Sequence, residues 1–250
     1  ATQALAVKPG TKLDADDALS AVSYDKGAWF LQMLEERFGR QEFDAFLRGY
    51  FDHFAFQSIT TETFLDYAKK NLFDKHPDLV TEAEIQAWVY GPGIPAGAPQ
   101  VQSRGFPSTD TARIAWMGSG QLPNPQVTGE WVTQQWVHFL EGMGDTLTVE
   151  QLAQLDKAYQ FTGTANGEIA MRWYPLTVRS GYVEARPAIA AFIERVGRRK
   201  LIMPIYEELV KTPDGLAFAQ ESFARARPGY HPITTASVEA LLAKSAPAAR

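Results

Sequence analysis

TEAEIQAWVYGPGIP (residues 81–95) carries a helix start and a hard stop within fifteen residues. Thr81 followed three positions later by Glu84 is a capping box, in which each side chain serves a backbone N–H that the first helical turn leaves unpaired. The helix it opens ends at GPGIP, residues 91–95, where glycine and proline cannot continue it. Working back toward the N-terminus, every other segment has the same period. Thr60 or Thr61 caps a helix whose inner face is Phe64, Leu65, Ala68 and Leu72. A helix from Gln41 to about Phe54 carries Phe43, Phe46, Leu47, Tyr50 and Phe51, and one from Lys26 carries Trp29, Phe30, Met33 and Leu34 until Gly39 stops it. The first ninety-odd residues therefore read as helices without a strand.

Beyond the stop, residues 91–107 hold Pro92, Pro95, Pro99 and Pro107 among Gly91, Gly93, Gly97 and Gly105. This density reads as a stiff connector, so we expect a boundary there, with residues 1–95 as one region, 96–107 as a linker and 108–250 as a second region. The helical period then resumes over Thr109 to Met117, Val127 to Leu140, Thr148 to Phe161 (capping box Thr148 and Gln151), Asn166 to Ser180, Glu184 to Gly197, Arg199 to Lys211, Asp214 to Arg225 and Thr234 to Lys244. Short breaks between such helices predict antiparallel pairs stacked as an α-solenoid. The fold class expected is all-α.

The 250 residues are 45% hydrophobic, enough to bury a core, and carry a net charge of −5. That charge argues against nucleic acid or an anionic membrane as partner. No apolar run reaches the roughly 18 residues that a membrane span requires, so a soluble chain is expected. The absence of cysteine excludes thiolate metal sites and fits a reducing or an oxidising compartment; a cytoplasmic setting is placed ahead of a periplasmic one.

HExxH, GxSxG, P-loop and GxGxxG motifs are all missing, and His53, His76, His138 and His231 are too scattered to propose a zinc site. Three clusters remain. Tyr24, in VSYDKG (22–27), is either a packing residue with a tethered hydroxyl or a hydrogen-bond donor in catalysis. RVGRRK (195–200) is either a solvated helix end or an anion site in which an arginine fork meets a carboxylate beside a lysine point charge. DADD (14–17) is a cap, a solvated acidic loop or a cation ligand, without the glycine and distal glutamate of a calcium loop.

Taken in order, VSYDKG (22–27), FLRGYFDHFAFQSITTETFLDY (46–67), AWVYGPGIP (87–95), NGEIAMRWYPL (166–176), GRRKLIMPIYEEL (197–209) and YHPIT (230–234) resemble the zinc aminopeptidases of the leukotriene A4 hydrolase and aminopeptidase B type. The resemblance covers nearly the whole chain. It implies that residues 1 to about 95 are the helical second half of a thermolysin-like catalytic domain and that 108–250 are an armadillo-like C-terminal domain. The family's zinc motif and its β-rich front are not in this chain, which the resemblance makes a C-terminal fragment: zinc belongs to the complete enzyme, and the fragment alone is expected to be inactive and to need the remainder of the enzyme as partner.

On the same resemblance Tyr24 matches the tyrosine that stabilises the oxyanion formed when water adds to the peptide carbonyl. A phenol, ordinarily protonated at neutral pH, suits that task. Arg198 and Lys200 match the basic pair that holds the free carboxylate of a short peptide substrate, and Asp16 matches an aspartate near the substrate pocket. The hydrolase branch has a second tyrosine where this chain has Leu19, so the resemblance implies peptide hydrolysis rather than epoxide opening. The competing reading is a non-catalytic α-solenoid that binds a protein or peptide.

Overall fold

A computed structural model of the chain describes residues 3–6, 21–100 and 102–245. Asp16, the rest of DADD and Leu19 lie outside the described residues. The described residues are helical, with no strand among them. The chain divides into two compact units, Ala1–Gln102 and Ser103–Arg250.

The first unit contains α1 (Ala21–Phe38), α2 (Arg40–His53), α3 (Thr61–Asn71), a 3₁₀ turn (Phe73–Lys75) and α4 (Glu82–Val89). Its core joins Phe30, Met33 and Leu34 of α1 to Phe43 and Phe46 of α2, Ala68 and Leu72 at the end of α3, and Ile85 and Trp88 of α4. Gly39 reverses the chain between α1 and α2 at φ +79°, a left-handed conformation that glycine adopts without a Cβ penalty. Thr60 caps α3 by accepting from the Thr63 amide. The Thr81–Glu84 capping box opens α4 in both directions, Glu84 N–H to Thr81 Oγ1 and Thr81 N–H to Glu84 Oε2.

Glu84 also pairs with Arg37 at 2.8 Å, and Arg37 together with the Thr81 amide draws its carboxyl down to about 2. A carboxylate depressed in the folded state contributes stability above its unfolded value of 4.5, and loses it as pH falls toward about 2. Because the side chain is 37% exposed, screening limits the effect to about 1 kcal/mol. Acid titration of stability should show this loss between those two values, and a Glu84→Gln protein should lack it; identical acid limbs would refute the assignment.

One expectation fails at α1. The chain is already helical at Ala21, well before Lys26, so Tyr24 lies within the helix rather than ahead of it. Polar Ser23 and Asp25 look like a break in sequence, but the helix runs through them, with Asp25 exposed and Lys26 buried.

The second unit contains α5 (Gly105–Ser119), α6 (Pro125–Thr128), α7 (Thr133–Glu141), α8 (Val149–Tyr159), α9 (Gly167–Arg179), a 3₁₀ turn (Val183–Ala185), α10 (Arg186–Arg195), α11 (Arg199–Leu209), α12 (Pro213–Ala226), a 3₁₀ turn (Arg227–Gly229) and α13 (Pro232–Ser245). Packing skips one helix at a time: α5 on α7, α7 on α9, α9 on α11 and α11 on α13 make one layer, and α10 packs on α12 in the other. This alternation is the two-layer stack of an α-solenoid. Between the layers lie Trp173, Tyr174, Ile189, Phe192, Ile193, Ile202, Ile205 and Tyr206, each no more than 2% exposed.

Two boundaries differ from expectation. The helix expected over Val127 to Leu140 is two, because the chain turns at Gly129 and Glu130 and inserts Trp131 against Trp136 and Phe139. The connector expected to reach residue 107 ends earlier, since α5 starts at Gly105; Pro107 falls in its first turn, where a missing N–H costs nothing.

Candidate functional site

The chain's candidate groups fall on both units. On the first, α1 has two faces two residues apart. Lys26 is 2% exposed and donates to the Gly91 carbonyl at 2.7 Å and the Gln3 carbonyl at 3.3 Å. Tyr24, two positions earlier and therefore about 200° around the helix, is 74% exposed. Its hydroxyl makes no hydrogen bond among the described residues. Among the described residues Tyr24 is thus neither packed nor tethered.

Lys26 was not singled out as a site residue. It ties α1 to the GPG turn after α4, while the amides of Leu5 and Ala6 both donate to the Val89 carbonyl. Burial pushes the Lys26 ammonium below the usual lysine range, so the residue is held for its two carbonyls against a desolvation cost. The consequence is a fixed rotation of α1 and hence a fixed outward direction for Tyr24. No local signal marked Lys26, because its carbonyl partners lie 23 and 65 residues away.

A hollow of about 840 Å³ between α2 and α3 is lined by Asp52, His53, Asp66, Tyr67 and Lys70. Tyr24 is not part of it. Among the described residues no group of three or more histidines and carboxylates could hold a metal ion. A zinc ion is therefore not accommodated by the side chains described.

On the second unit, RVGRRK spans the break between α10 and α11, with Arg198 at the N-cap of α11. Arg195, Arg198, Arg199 and Lys200 are all exposed. The side chains of the three arginines make no hydrogen bond or ion pair among the described residues. Lys200 differs from them: its ammonium donates to Glu168 Oε1 at 2.8 Å. Glu168 Oε2 accepts from Arg172 Nη1 at 2.7 Å, and Arg172 Nε reaches Glu141 Oε1 at 2.9 Å. Lys200 first, with Arg172, holds the Glu168 carboxyl below the usual carboxylate range.

Glu141, Glu168 and Arg172 line an open groove of about 580 Å³ together with Phe106, Val137 and His138. The Phe106 ring stacks on His138 at 4.6 Å. Glu168 and Arg172 were not picked out in sequence, although their i, i+4 spacing is the usual signature of a helix-face pair.

Comparison with known proteins divides along the same chain. Residues 131–242 match the family model for the leukotriene A4 hydrolase C-terminal domain, and residues 1–86 match the peptidase family M1 domain. The chain is 27% identical over 234 residues to leucine aminopeptidase 2 of Chaetomium globosum, covering 91% of this chain and 38% of that protein. It is 27% identical to leukotriene A-4 hydrolase of Xenopus laevis, covering 93% and 39%, and 27% identical to aminopeptidase B of Mus musculus, covering 95% and 38%. The chain thus spans well under half the length of these relatives. The solved structure of native yeast LTA4 hydrolase superposes with a TM-score of 0.75 at 25% identity, over 96% of this chain and 42% of that one. The motifs, the helical architecture and both domain models agree: the chain is similar to the peptidase family M1 domain in its first part and to the leukotriene A4 hydrolase C-terminal domain in its second.

Proposed function

We propose that this chain is the C-terminal portion of a zinc aminopeptidase that removes N-terminal residues from short peptides. Tyr24 donates a hydrogen bond to the oxyanion formed when water adds to the peptide carbonyl. Arg198 and Lys200 bind the peptide's free carboxylate. The observation that carries the reading is the state of Tyr24: a tyrosine on a rigid helix, turned outward by a buried lysine, with a hydroxyl free to donate.

Zinc would supply Lewis-acid and water-activating chemistry in the complete enzyme, held by residues other than those described. Tyr24 contributes a donor aimed at charge that is complete only in the tetrahedral state. Arg198 contributes an exposed planar fork that matches a carboxylate. Lys200 adds a second positive charge. Peptides are the substrate class, and residues 1–95 act as part of the catalytic domain, followed by a linker and the helical domain from residue 108. Asp16 is kept as a candidate neighbour of the substrate pocket on the resemblance alone.

The direct test is an assay of the chain 1–250 and of its complete gene product, each supplied with zinc, for release of chromophore from alanyl and arginyl anilides. Activity in the complete product alone supports the proposal. If neither is active and neither retains zinc, the proposal fails and a helical binding module takes its place. Within the active protein, Arg198→Ala should raise KM for an alanine tripeptide roughly 10- to 100-fold, the worth of a charge-assisted hydrogen bond, and leave KM for its C-terminal amide unchanged. Equal effects on both peptides would remove Arg198 from carboxylate binding.

A further inference from the structure

Glu168 is a carboxylate of the protein placed on the same ammonium that the proposed function reserves for a carboxylate of the substrate. We propose that Glu168 is a specificity-determining residue: it occupies Lys200 and so lowers the affinity of the basic segment for a peptide C-terminus. The inference rests on the carboxylate-anchor reading above and adds a regulating partner to it.

The apposition is built by the fold rather than by chance contact of long side chains. Asn166 caps α9 by accepting from the amides of Glu168 and Ile169, and its own amide donates to Thr133 Oγ1 at 3.0 Å. Glu168 therefore leaves the helix in a fixed direction. Gly167, beside it, lies so close to α11 that a Cβ there would stand 2.8 Å from Leu201 Cδ1. A larger residue there would have to turn the Leu201 side chain aside. Arg172, one turn further on, holds the second oxygen of Glu168 and is itself held by Glu141.

The charge balance follows from these pairs. Lys200, Glu168, Arg172 and Glu141 sum to zero, whereas Arg198 stands unpaired among the described residues. An incoming carboxylate therefore meets one uncompensated cation at Arg198 and a second that is already neutralised. It must share the Lys200 ammonium with Glu168, or displace it. Repulsion between the two carboxylates weakens the site, by an amount that salt should reduce because the Lys200 and Glu168 side chains are 55% and 37% exposed. The benefit of such an arrangement is discrimination: a peptide is held by its C-terminus long enough to react without being retained as an anion.

The test uses the complete zinc-loaded gene product and two probes, an alanine tripeptide and its C-terminal amide. Wild-type protein should prefer the free acid. In Glu168→Gln, KM for the acid should fall about 3- to 10-fold at low ionic strength, a Coulomb effect of one charge near a protein surface, and the gain should shrink at high salt. KM for the amide should not move. Glu168→Asp, which keeps the charge, should retain most of the wild-type KM.

If Glu168→Gln raises KM for the acid, Glu168 merely orients Lys200 and the proposal is overturned. An unchanged KM overturns it as well, leaving an ordinary surface ion pair. If the wild type itself does not distinguish acid from amide, it is the carboxylate-anchor reading that has failed. Matching melting temperatures for the two variants and the wild type would show that each KM reports the site and not the fold.

Discussion

Changing Tyr24 to Phe in the complete zinc-loaded protein is expected to lower kcat about 100- to 1,000-fold, the usual loss when one oxyanion donor is removed. KM for an alanyl anilide should stay nearly constant. The substitution deletes a single oxygen, and that oxygen bonds to nothing among the described residues. The fold therefore loses nothing with it: the ring stands 74% exposed on α1, so no cavity forms and no buried partner is orphaned. A kinetic loss with an unchanged melting temperature separates a group that acts only in the transition state from one that supports structure. An unchanged kcat, or a fall in melting temperature matching the loss of activity, would sink the assignment.

The position of Tyr24 also explains why a helix, and not a loop, should carry this hydroxyl. Donors contribute most when the protein and not the substrate has already paid to orient them. Here α1 is packed through Phe30, Met33 and Leu34 and locked in rotation by Lys26 on the Gly91 carbonyl. The two motifs VSYDKG and WVYGPGIP, far apart in sequence, meet at this one hydrogen bond.

The helices were legible in sequence where local chemistry alone decides them. The Thr81–Glu84 and Thr148–Gln151 boxes and the Thr60 cap each sit at the start of a helix with the bond the sequence pattern requires. The misreadings came where tertiary packing overrides local signals. The polar turn around Tyr24 is helical because Lys26 has carbonyl partners 23 and 65 residues away. The long helix over Val127 to Leu140 is broken because Trp131 is needed in the core. Neither cause is visible within a window of ten residues. The same limit applies to the site: RVGRRK stands out as charge, but the partner that distinguishes Lys200 from its three arginine neighbours lies 32 residues upstream. Tyr24, Arg198 and Lys200 stood out through resemblance to a family; their surroundings could only come from coordinates.

Trp173→Ala is the stability counterpart of the Tyr24 experiment, and it tests what holds the basic segment in place. Trp173 is fully buried in α9, its indole N–H donates to Thr162 Oγ1 at 2.9 Å, and its ring meets Phe161 at 5.1 Å. Truncation removes a large apolar surface, leaves a cavity between two layers that cannot close over it, and strands a hydroxyl. The expected cost is about 3–5 kcal/mol, read as a shift of the urea midpoint by far-UV circular dichroism on the full chain. The ion pairs on the other side of α9 work on a smaller scale: exposed pairs such as Lys200–Glu168 contribute about 1 kcal/mol or less. If that ordering holds, α9 and α11 are joined by their core, and the charges on their starts are free to be tuned for binding without loss of the fold. A loss under about 1 kcal/mol for Trp173→Ala would mean that the layers are held elsewhere, and that changes at Glu168 cannot be interpreted as changes in affinity alone.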